Sequence, residues 1–186
     1  MLEFAAPTVI PSVRFLPLLE QALQASSPYM LLTNTHIGNL GELARLCQRN
    51  DKQVLVHADL IGGFRPDRDG LRLLRNMFGV HGVFTQSAQV VSIAQKLGIK
   101  AIYRLFMVDS RFMDTGLRSL SDVHPDGIEI LPAAIASRIS GQVLPLAEGV
   151  PKIAGGFITT QVDARQLFDA GYQAITTSEP RLWLDT

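Results

Sequence analysis

Two kinds of segment alternate along this chain. Short apolar runs are followed by longer segments in which apolar residues lie three and four positions apart. Short runs rich in β-branched residues are typical of buried strands, and the longer spacing is typical of amphipathic helices. The predicted strands span residues 8–13, 29–33, 53–57, 82–85, 100–106, 127–131, 152–154 and 174–177. The predicted helices span residues 16–25, 40–49, 67–78, 88–97, 113–123, 133–146 and 162–170.

Residues at the ends of these segments support the assignment. Ser87 and Thr160 stand where helix N-caps are expected, and Gly98 and Gly171 stand where helices end in a left-handed residue. Strands joined by helices must pair in parallel, either in a closed (β/α)8 barrel or in an open doubly wound sheet. Barrels usually exceed about 200 residues. The short loops nevertheless favour an α/β fold with a small (β/α)8 TIM-type barrel in a single domain, residues 1–186.

Composition excludes several classes of protein. Hydrophobic residues make up 47% of the chain and charged residues 18%, with 17 Lys plus Arg balancing 17 Asp plus Glu. Disorder requires low hydrophobicity and high net charge, so the chain is expected to fold. Zero net charge supplies no overall field to attract nucleic acid, so an RNA partner would need a local basic patch.

Cysteine usage and the N-terminus indicate the compartment. The single cysteine, Cys47, allows no intramolecular disulfide, which is typical of a reducing environment. The chain begins without the basic and apolar regions of a signal peptide, and no run of about 18 apolar residues occurs. We therefore expect a cytoplasmic protein with no membrane-spanning segment.

Polar residues stand at the carboxyl ends of several predicted strands, where α/β proteins bind their ligands. His36 follows the second strand, His57 and Asp59 end the third, and Arg104 and Glu129 lie within the fifth and sixth. A charge in a buried parallel strand is costly unless it is paired. Arg104 and Glu129 are therefore expected to line a polar ligand cavity or to form a plain buried ion pair.

The last two strands run into residues typical of a phosphate site. The seventh strand runs into Gly155 and Gly156, and the eighth runs into Thr176, Thr177 and Ser178 just before a predicted helix start at Pro180. Glycine lets backbone N–H groups approach an anion, hydroxyls add donors, and a helix N-terminus adds partial positive charge. The alternative is that the glycines mark an ordinary turn.

Two enzymatic interpretations remain open at this point. His57 and Asp59 could act as an acid–base pair, with Glu129 as a second candidate base, on a small phosphorylated sugar or triose. His36, His57 and Asp59 could instead ligate a metal. For each of these residues, the alternative is a hydrogen bond to a ligand or to the backbone.

A row of arginines gives the neutral chain one local basic patch. Arg65, Arg68, Arg72 and Arg75 recur at spacings of three and four, which places them on one face of a predicted helix. Such a stripe is a candidate for contacts with RNA phosphates, and the alternative is an ordinary solvated helix face. The apolar residues of the same helix, among them Leu71, also recur at spacings of three and four and form a second face, which is assigned to the core.

Several strings, taken in order, resemble one known family. VIPSVR, NTHI, VLVHADLI, IEILP, AGGFIT and AITTSEPRLW together are similar to the glycerol-uptake operon antiterminator regulatory proteins, and the resemblance extends from Val9 to Trp183. It implies a barrel that senses glycerol 3-phosphate and acts on a leader mRNA to prevent premature termination, without a cofactor, a metal or catalysis. The expected ligand-binding residues are His36, His57, Asp59, Arg104, Glu129, Gly155, Gly156, Thr177 and Ser178.

Self-association is a further possibility. Phe112, Met113 and Trp183 are predicted to be exposed apolar residues that could form a homo-oligomer interface. A dimer would double a weak basic patch and so raise its avidity for RNA.

Overall fold

Eight parallel strands close into a barrel in the computed structural model of the chain, in which residues 2–4, 7–109, 111, 120, 123–146 and 148–184 are described. The strands follow one another in sequence order around the barrel, and the eighth pairs with the first. The predicted (β/α)8 barrel is confirmed, and the open sheet is excluded.

The observed strands lie close to the predicted ones. Only the second and seventh strands differ from the prediction, each by one residue at its carboxyl end. They are β1 Thr8–Val13, β2 Tyr29–Leu32, β3 Gln53–His57, β4 Gly82–Thr85, β5 Lys100–Phe106, β6 Gly127–Leu131, β7 Lys152–Gly155 and β8 Ala174–Thr177.

Helices cover the outside of the barrel. Within the described residues they are α1 Leu19–Leu23, α2 Ile37–Arg49, α3 Arg68–Asn76, α4 Ala88–Lys96, α5 Ala133–Leu146 and α6 Gln161–Asp169. Three single 3-10 turns accompany them at Leu16–Leu18, Ala58–Leu60 and Pro180–Leu182. Most of the helix predicted over residues 113–123 lies outside the described residues. No helix in the described part of the chain is both long enough and apolar enough to cross a membrane.

The predicted helix ends have the expected chemistry. The Ser87 hydroxyl accepts a hydrogen bond from the Val90 N–H at 3.3 Å, and the Thr160 hydroxyl accepts one from the Asp163 N–H at 3.1 Å. Gly98 and Gly171 have positive φ angles of 69° and 97°. Both caps and both glycine stops are therefore confirmed.

The core has two parts separated by the barrel wall. Nine buried residues fill the inside of the barrel, among them Ile10, Leu55, Phe84 and Ile102. A larger cluster fills the layer between the strands and the helices. Because strand side chains alternate between the two faces, every second residue along a strand belongs to the same part.

Trp183 corrects one prediction of an exposed apolar surface. Its side chain is only 2% exposed, and its indole N–H donates a hydrogen bond to the Thr177 carbonyl at 2.9 Å. Trp183 is therefore hydrogen-bonded to the last residue of β8, and its side chain is not available for an oligomer interface. Phe112 and Met113 lie outside the described residues.

Candidate functional site

A polar layer lies directly above the apolar interior of the barrel. Ser12, His57, Arg104 and Thr176 each come two residues after an apolar interior residue of the same strand, respectively Ile10, Leu55, Ile102 and Ala174. The alternation of strand side chains therefore places these polar groups inside the barrel at its carboxyl end. This is the end at which barrels bind their ligands.

Arg104, Glu129 and Thr176 form a hydrogen-bonded network across three strands. The Arg104 Nε lies 2.7 Å from one Glu129 carboxylate oxygen, and the Thr176 hydroxyl donates to the other oxygen at 2.7 Å. Register pairs Arg104 with Glu129 directly across β5 and β6. Glu129 is 1% exposed and the Arg104 side chain 12% exposed. The two residues therefore form the predicted ion pair and also line a cavity.

Gly155 makes room for this network. A Cβ atom on Gly155 would lie 2.5 Å from the Thr176 hydroxyl oxygen and 2.6 Å from a Glu129 carboxylate oxygen. Both distances are too short for nonbonded atoms, so a side chain here would displace the buried hydrogen bond. Gly155 does not itself line the cavity. Its role in the structure is steric, and the predicted contact with an anion stays a prediction.

His57 is buried at the edge of the cavity with an unsatisfied nitrogen. The residue is 6% exposed, and its ring contacts Phe84 edge-on at 5.4 Å between centroids. Of the buried side-chain nitrogen and oxygen atoms in the described residues, His57 Nδ1 is the one without a hydrogen-bond partner. Burial, and secondarily the charge of Arg104, lowers the pKa of His57 to about 3. The imidazole is therefore neutral near pH 7.

The lowered pKa of His57 predicts an acid-sensitive fold. Between about pH 7 and about pH 5, His57 alone is expected to reduce the free energy of unfolding by about 2 kcal/mol. The unfolded chain binds a proton at the ordinary histidine pKa, whereas the folded chain does not until near pH 3. The contribution of His57 to the free energy of unfolding is therefore fully present above the pKa of histidine in the unfolded chain. This contribution is lost as the pH falls below that value. Urea unfolding at several pH values measures this slope.

A matched pair of variants isolates the contribution of His57. His57→Gln should have a shallower pH slope than the wild type, because glutamine does not titrate. His81→Gln should retain the slope due to His57, although burial also lowers the pKa of His81. Equal slopes for His57→Gln and the wild type would contradict the assignment.

Asp59 connects two strand ends in this structure, and its predicted contact with a ligand stays a prediction. It lies in the 3-10 turn after β3, and its carboxylate accepts hydrogen bonds from the Thr85 hydroxyl and the Gln86 N–H, both at 3.0 Å. These bonds tie the carboxyl end of β3 to that of β4. Asp59 does not line the cavity and has no hydrogen bond to His57. The geometry does not provide the acid–base pair that the enzymatic interpretation requires.

His36 caps α2 and does not line the cavity. Its Nδ1 accepts a hydrogen bond from the Gly38 N–H at 3.0 Å, while the His36 N–H donates to the Asn39 side-chain oxygen at 2.9 Å. Among the described residues, no group of three or more His, Cys, Asp or Glu side chains could hold a metal. His36, His57 and Asp59 do not form such a group.

The loop after β7 has unusual backbone geometry. Gly156 and Phe157 both have positive φ angles, 85° and 61°, and both line the cavity. Phe157 is exposed, and a left-handed conformation is costly for an aromatic residue. The Ala133 N–H donates to the Gly156 carbonyl at 3.3 Å, which connects this loop to the start of α5.

Two hydroxyls at the carboxyl end of β8, those of Thr177 and Ser178, are not equivalent. Thr177 is buried, and its hydroxyl donates to the Ile158 carbonyl at 2.7 Å and accepts from the Glu179 N–H at 3.1 Å. Ser178 is exposed and lines the cavity, so it is the hydroxyl available to a ligand. The helix predicted at Pro180 is a single 3-10 turn capped by the carboxylate of Glu179. It adds little positive dipole to the site.

These groups surround one cavity of about 410 Å3 at the carboxyl end of the barrel. It is lined by the predicted residues His57, Arg104, Glu129, Gly156, Thr176, Thr177 and Ser178. Sequence reasoning missed four polar residues of its lining, namely Ser12, Arg14, Thr159 and Glu179. Ser12 and Arg14 could have been found from the end of the first strand, where polar residues follow an apolar run.

The predicted arginine stripe lies on and before α3, away from the cavity. Leu71 is buried beneath it, as predicted, and all four arginines are exposed. Arg65 precedes the helix, and Arg72 lies 3.5 Å from the Asp69 carboxylate. The Arg75 guanidinium donates to the Leu97 carbonyl at the end of α4. The four arginines of the stripe are Arg65, Arg68, Arg72 and Arg75.

Comparisons with known proteins agree with the resemblance seen in the motifs. A family model described as glycerol-3-phosphate responsive antiterminator matches residues 9–183. A glycerol uptake operon antiterminator regulatory protein from Listeria monocytogenes is 31% identical, with a TM-score of 0.89 over 98% of this chain and 97% of that one.

Two further proteins are less similar in sequence, one of them a solved structure and the other a sequence match. A glycerol uptake operon antiterminator-related protein from Thermotoga maritima superposes with a TM-score of 0.85 at 24% identity, covering 96% of this chain and 98% of that one. The uncharacterized protein YgcP of Escherichia coli is 25% identical over 175 residues, which are 94% of this chain and 91% of that protein. With a family model that spans nearly the whole sequence, the chain belongs to the glycerol-3-phosphate responsive antiterminator family.

Proposed function

We propose that the cavity at the carboxyl end of the barrel binds glycerol 3-phosphate and that binding regulates contact with a leader mRNA. The observation that supports the ligand most directly is a cavity lined by polar side chains at the ligand-binding end of the barrel, including Arg14, Arg104 and Ser178. The chain also belongs to a family described as glycerol-3-phosphate responsive. The cavity volume of about 410 Å3 is ample for a small phosphorylated polyol.

The two ends of the cavity suit the two ends of the ligand. Neutral imidazole offers one donor and one acceptor nitrogen, which matches the hydroxyls of glycerol. Glu129 has both oxygens engaged by Arg104 and Thr176, so it fixes the Arg104 guanidinium rather than accepting a proton. The opposite rim, with Gly156 and Ser178, would hold the phosphate.

Calorimetry tests the ligand. Titrating the protein with glycerol 3-phosphate should give saturable heat at millimolar concentration or below, and glycerol should bind more weakly. His57→Gln should weaken binding, while Gly141→Ala serves as a control because its Cβ would meet no atom within 4 Å. The absence of saturable heat from glycerol 3-phosphate would exclude the ligand.

We also propose a regulatory rather than a catalytic role, with the protein acting in the cytoplasm where leader transcripts are made. His57 has too low a pKa to be a general acid near pH 7, and Asp59 is engaged by Thr85 and Gln86. The family is one of antiterminators. These observations favour a sensor over an enzyme acting on a phosphorylated sugar.

The arginines of α3 are the proposed RNA contact. Arg68 has no carboxylate within salt-bridge distance among the described residues, and Arg72 is only partly neutralised by the exposed Asp69. Phosphate contacts from such a stripe would provide affinity that falls steeply with salt. Arg75 is a weaker candidate, because it already bonds the end of α4.

A gel shift tests this surface. The double variant Arg68→Glu/Arg72→Glu should lose its shift of a glycerol-operon leader transcript, since each reversal replaces an attraction to phosphate with a repulsion. The double variant Arg45→Glu/Arg165→Glu, on α2 and α6, is the matched control, because it makes the same charge change at exposed arginines of two other helices. Equal shifts for the double variant and the wild type would exclude the stripe.

A further inference from the structure

The cavity contains two arginines, and their charges are not equally available. Arg104 is held by Glu129 at 2.7 Å. The second carboxylate of the lining, Glu179, is held by Arg181 through a 2.7 Å contact. Arg14 also lines the cavity, is exposed, and has no carboxylate within salt-bridge distance among the described residues. Its guanidinium lies over the Phe15 ring at 6.0 Å from the ring centroid, a contact that leaves the charge without a counter-ion.

The barrel closure brings Arg14 and Ser178 to the same cavity. Pro11 of β1 pairs with Thr177, the last residue of β8, and β1 continues for two more residues to Val13. Arg14 directly follows β1, and Ser178 directly follows β8. The Asn34 side chain donates to the Arg14 carbonyl at 3.4 Å, which positions the backbone from which the guanidinium extends.

Within the described lining, Arg14 is the cation whose charge is not offset by a carboxylate. A phosphate monoester is close to a dianion near pH 7. Gly156 and Ser178 offer dipolar groups only, and the turn after β8 is a single 3-10 turn capped by the anionic Glu179. Glu179 is paired with Arg181 and Glu129 with Arg104, so among the described residues of the lining the charge left over for a phosphate is that of Arg14. Guanidinium is well suited to this task, because it donates two parallel hydrogen bonds to phosphate.

We propose that Arg14 is the residue that makes the cavity select a phosphorylated polyol over its uncharged counterpart. The inference rests on the proposed ligand and adds the source of its specificity. Arg104 and His57 recognise hydroxyls that both molecules share, whereas Arg14 recognises the charge that only one of them has. Charge recognition and hydroxyl recognition are thus assigned to opposite sides of the cavity.

Calorimetry with three variants and two ligands tests this assignment. Arg14→Gln should bind glycerol 3-phosphate about 10- to 100-fold more weakly than the wild type, the loss typical of a charge-assisted hydrogen bond. Arg14→Lys should recover part of the affinity, because it restores the charge without the fork. Arg45→Gln, an exposed arginine of α2 that lines no described cavity, should bind like the wild type.

Two further readouts separate charge recognition from a structural role. Affinity for glycerol should be the same in Arg14→Gln and the wild type. Raising the salt concentration should weaken phosphate binding by the wild type and have less effect on Arg14→Gln. Wild-type affinity of Arg14→Gln for glycerol 3-phosphate, or an equal loss for glycerol, would overturn the inference while leaving the proposed ligand intact. Failure of the wild type to bind glycerol 3-phosphate would overturn both.

Discussion

Arg104→Met is expected to lower the free energy of unfolding by about 3–5 kcal/mol, because it leaves the Glu129 carboxylate buried without its charged partner. Glu129 is almost completely inaccessible to water, and the Thr176 hydroxyl alone would remain to stabilise it. A neutral hydroxyl cannot replace the charge of a guanidinium at 2.7 Å. Urea unfolding at neutral pH measures the loss.

The double variant Arg104→Met/Glu129→Met is the control for this prediction. Removing both charges together removes the uncompensated carboxylate, so the pair of substitutions should cost less stability than Arg104→Met alone. Glycerol 3-phosphate binding should be lost in both variants. A decrease in the free energy of unfolding below about 1 kcal/mol for Arg104→Met would mean that the pair behaves as an exposed salt bridge. The network of Arg104, Glu129 and Thr176 would then not stabilise the site.

Gly155→Ala is expected to reduce affinity for glycerol 3-phosphate by about tenfold or more and stability by about 1–3 kcal/mol, the usual cost of overpacking. The new methyl group would fall within 2.6 Å of both the Thr176 hydroxyl oxygen and a Glu129 oxygen. The carboxylate must move, and Arg104 moves with it. Calorimetry and urea unfolding measure the two effects.

Gly141→Ala provides the matched comparison for Gly155→Ala. Gly141 lies within α5, and a Cβ there would meet no atom within 4 Å. Alanine is the better helix former by about 1 kcal/mol, so this variant should be slightly more stable than the wild type and bind the ligand equally well. If Gly155→Ala behaved in the same way, the close packing around Glu129 would not matter for the site.

The fold was largely predictable because the signals that specify it are local. A barrel of parallel strands needs apolar runs for its wall and amphipathic helices for its cover, and both periods are visible in the sequence. The apolar spacing predicts that α2 begins at Leu40, three residues after its observed start at Ile37. The difference arises because the N-cap of α2 is His36. Histidine is not among the usual N-cap residues, so the sequence contained no recognisable signal there.

The site was only partly predictable because its geometry depends on contacts between strands. Arg104 and Glu129 could be identified, since charged residues inside buried strands require a partner or a cavity. The steric role of Gly155 depends on two side chains from neighbouring strands, which no local pattern reveals. Asp59 likewise follows a strand end but bonds across to β4. Arg14 follows the first strand in the sequence, but its place in the same cavity as Ser178 depends on the pairing of β1 with β8.

The central claim is that ligand in the barrel cavity controls RNA binding, and a gel shift titrated with glycerol 3-phosphate tests it most directly. A ligand can change RNA affinity only if it binds two states of the protein differently, and such coupling is typically about fivefold or more. We predict a shift in the apparent affinity for a glycerol-operon leader transcript of at least that size, and a much smaller shift for Gly155→Ala. An identical RNA affinity with and without saturating glycerol 3-phosphate would contradict the account.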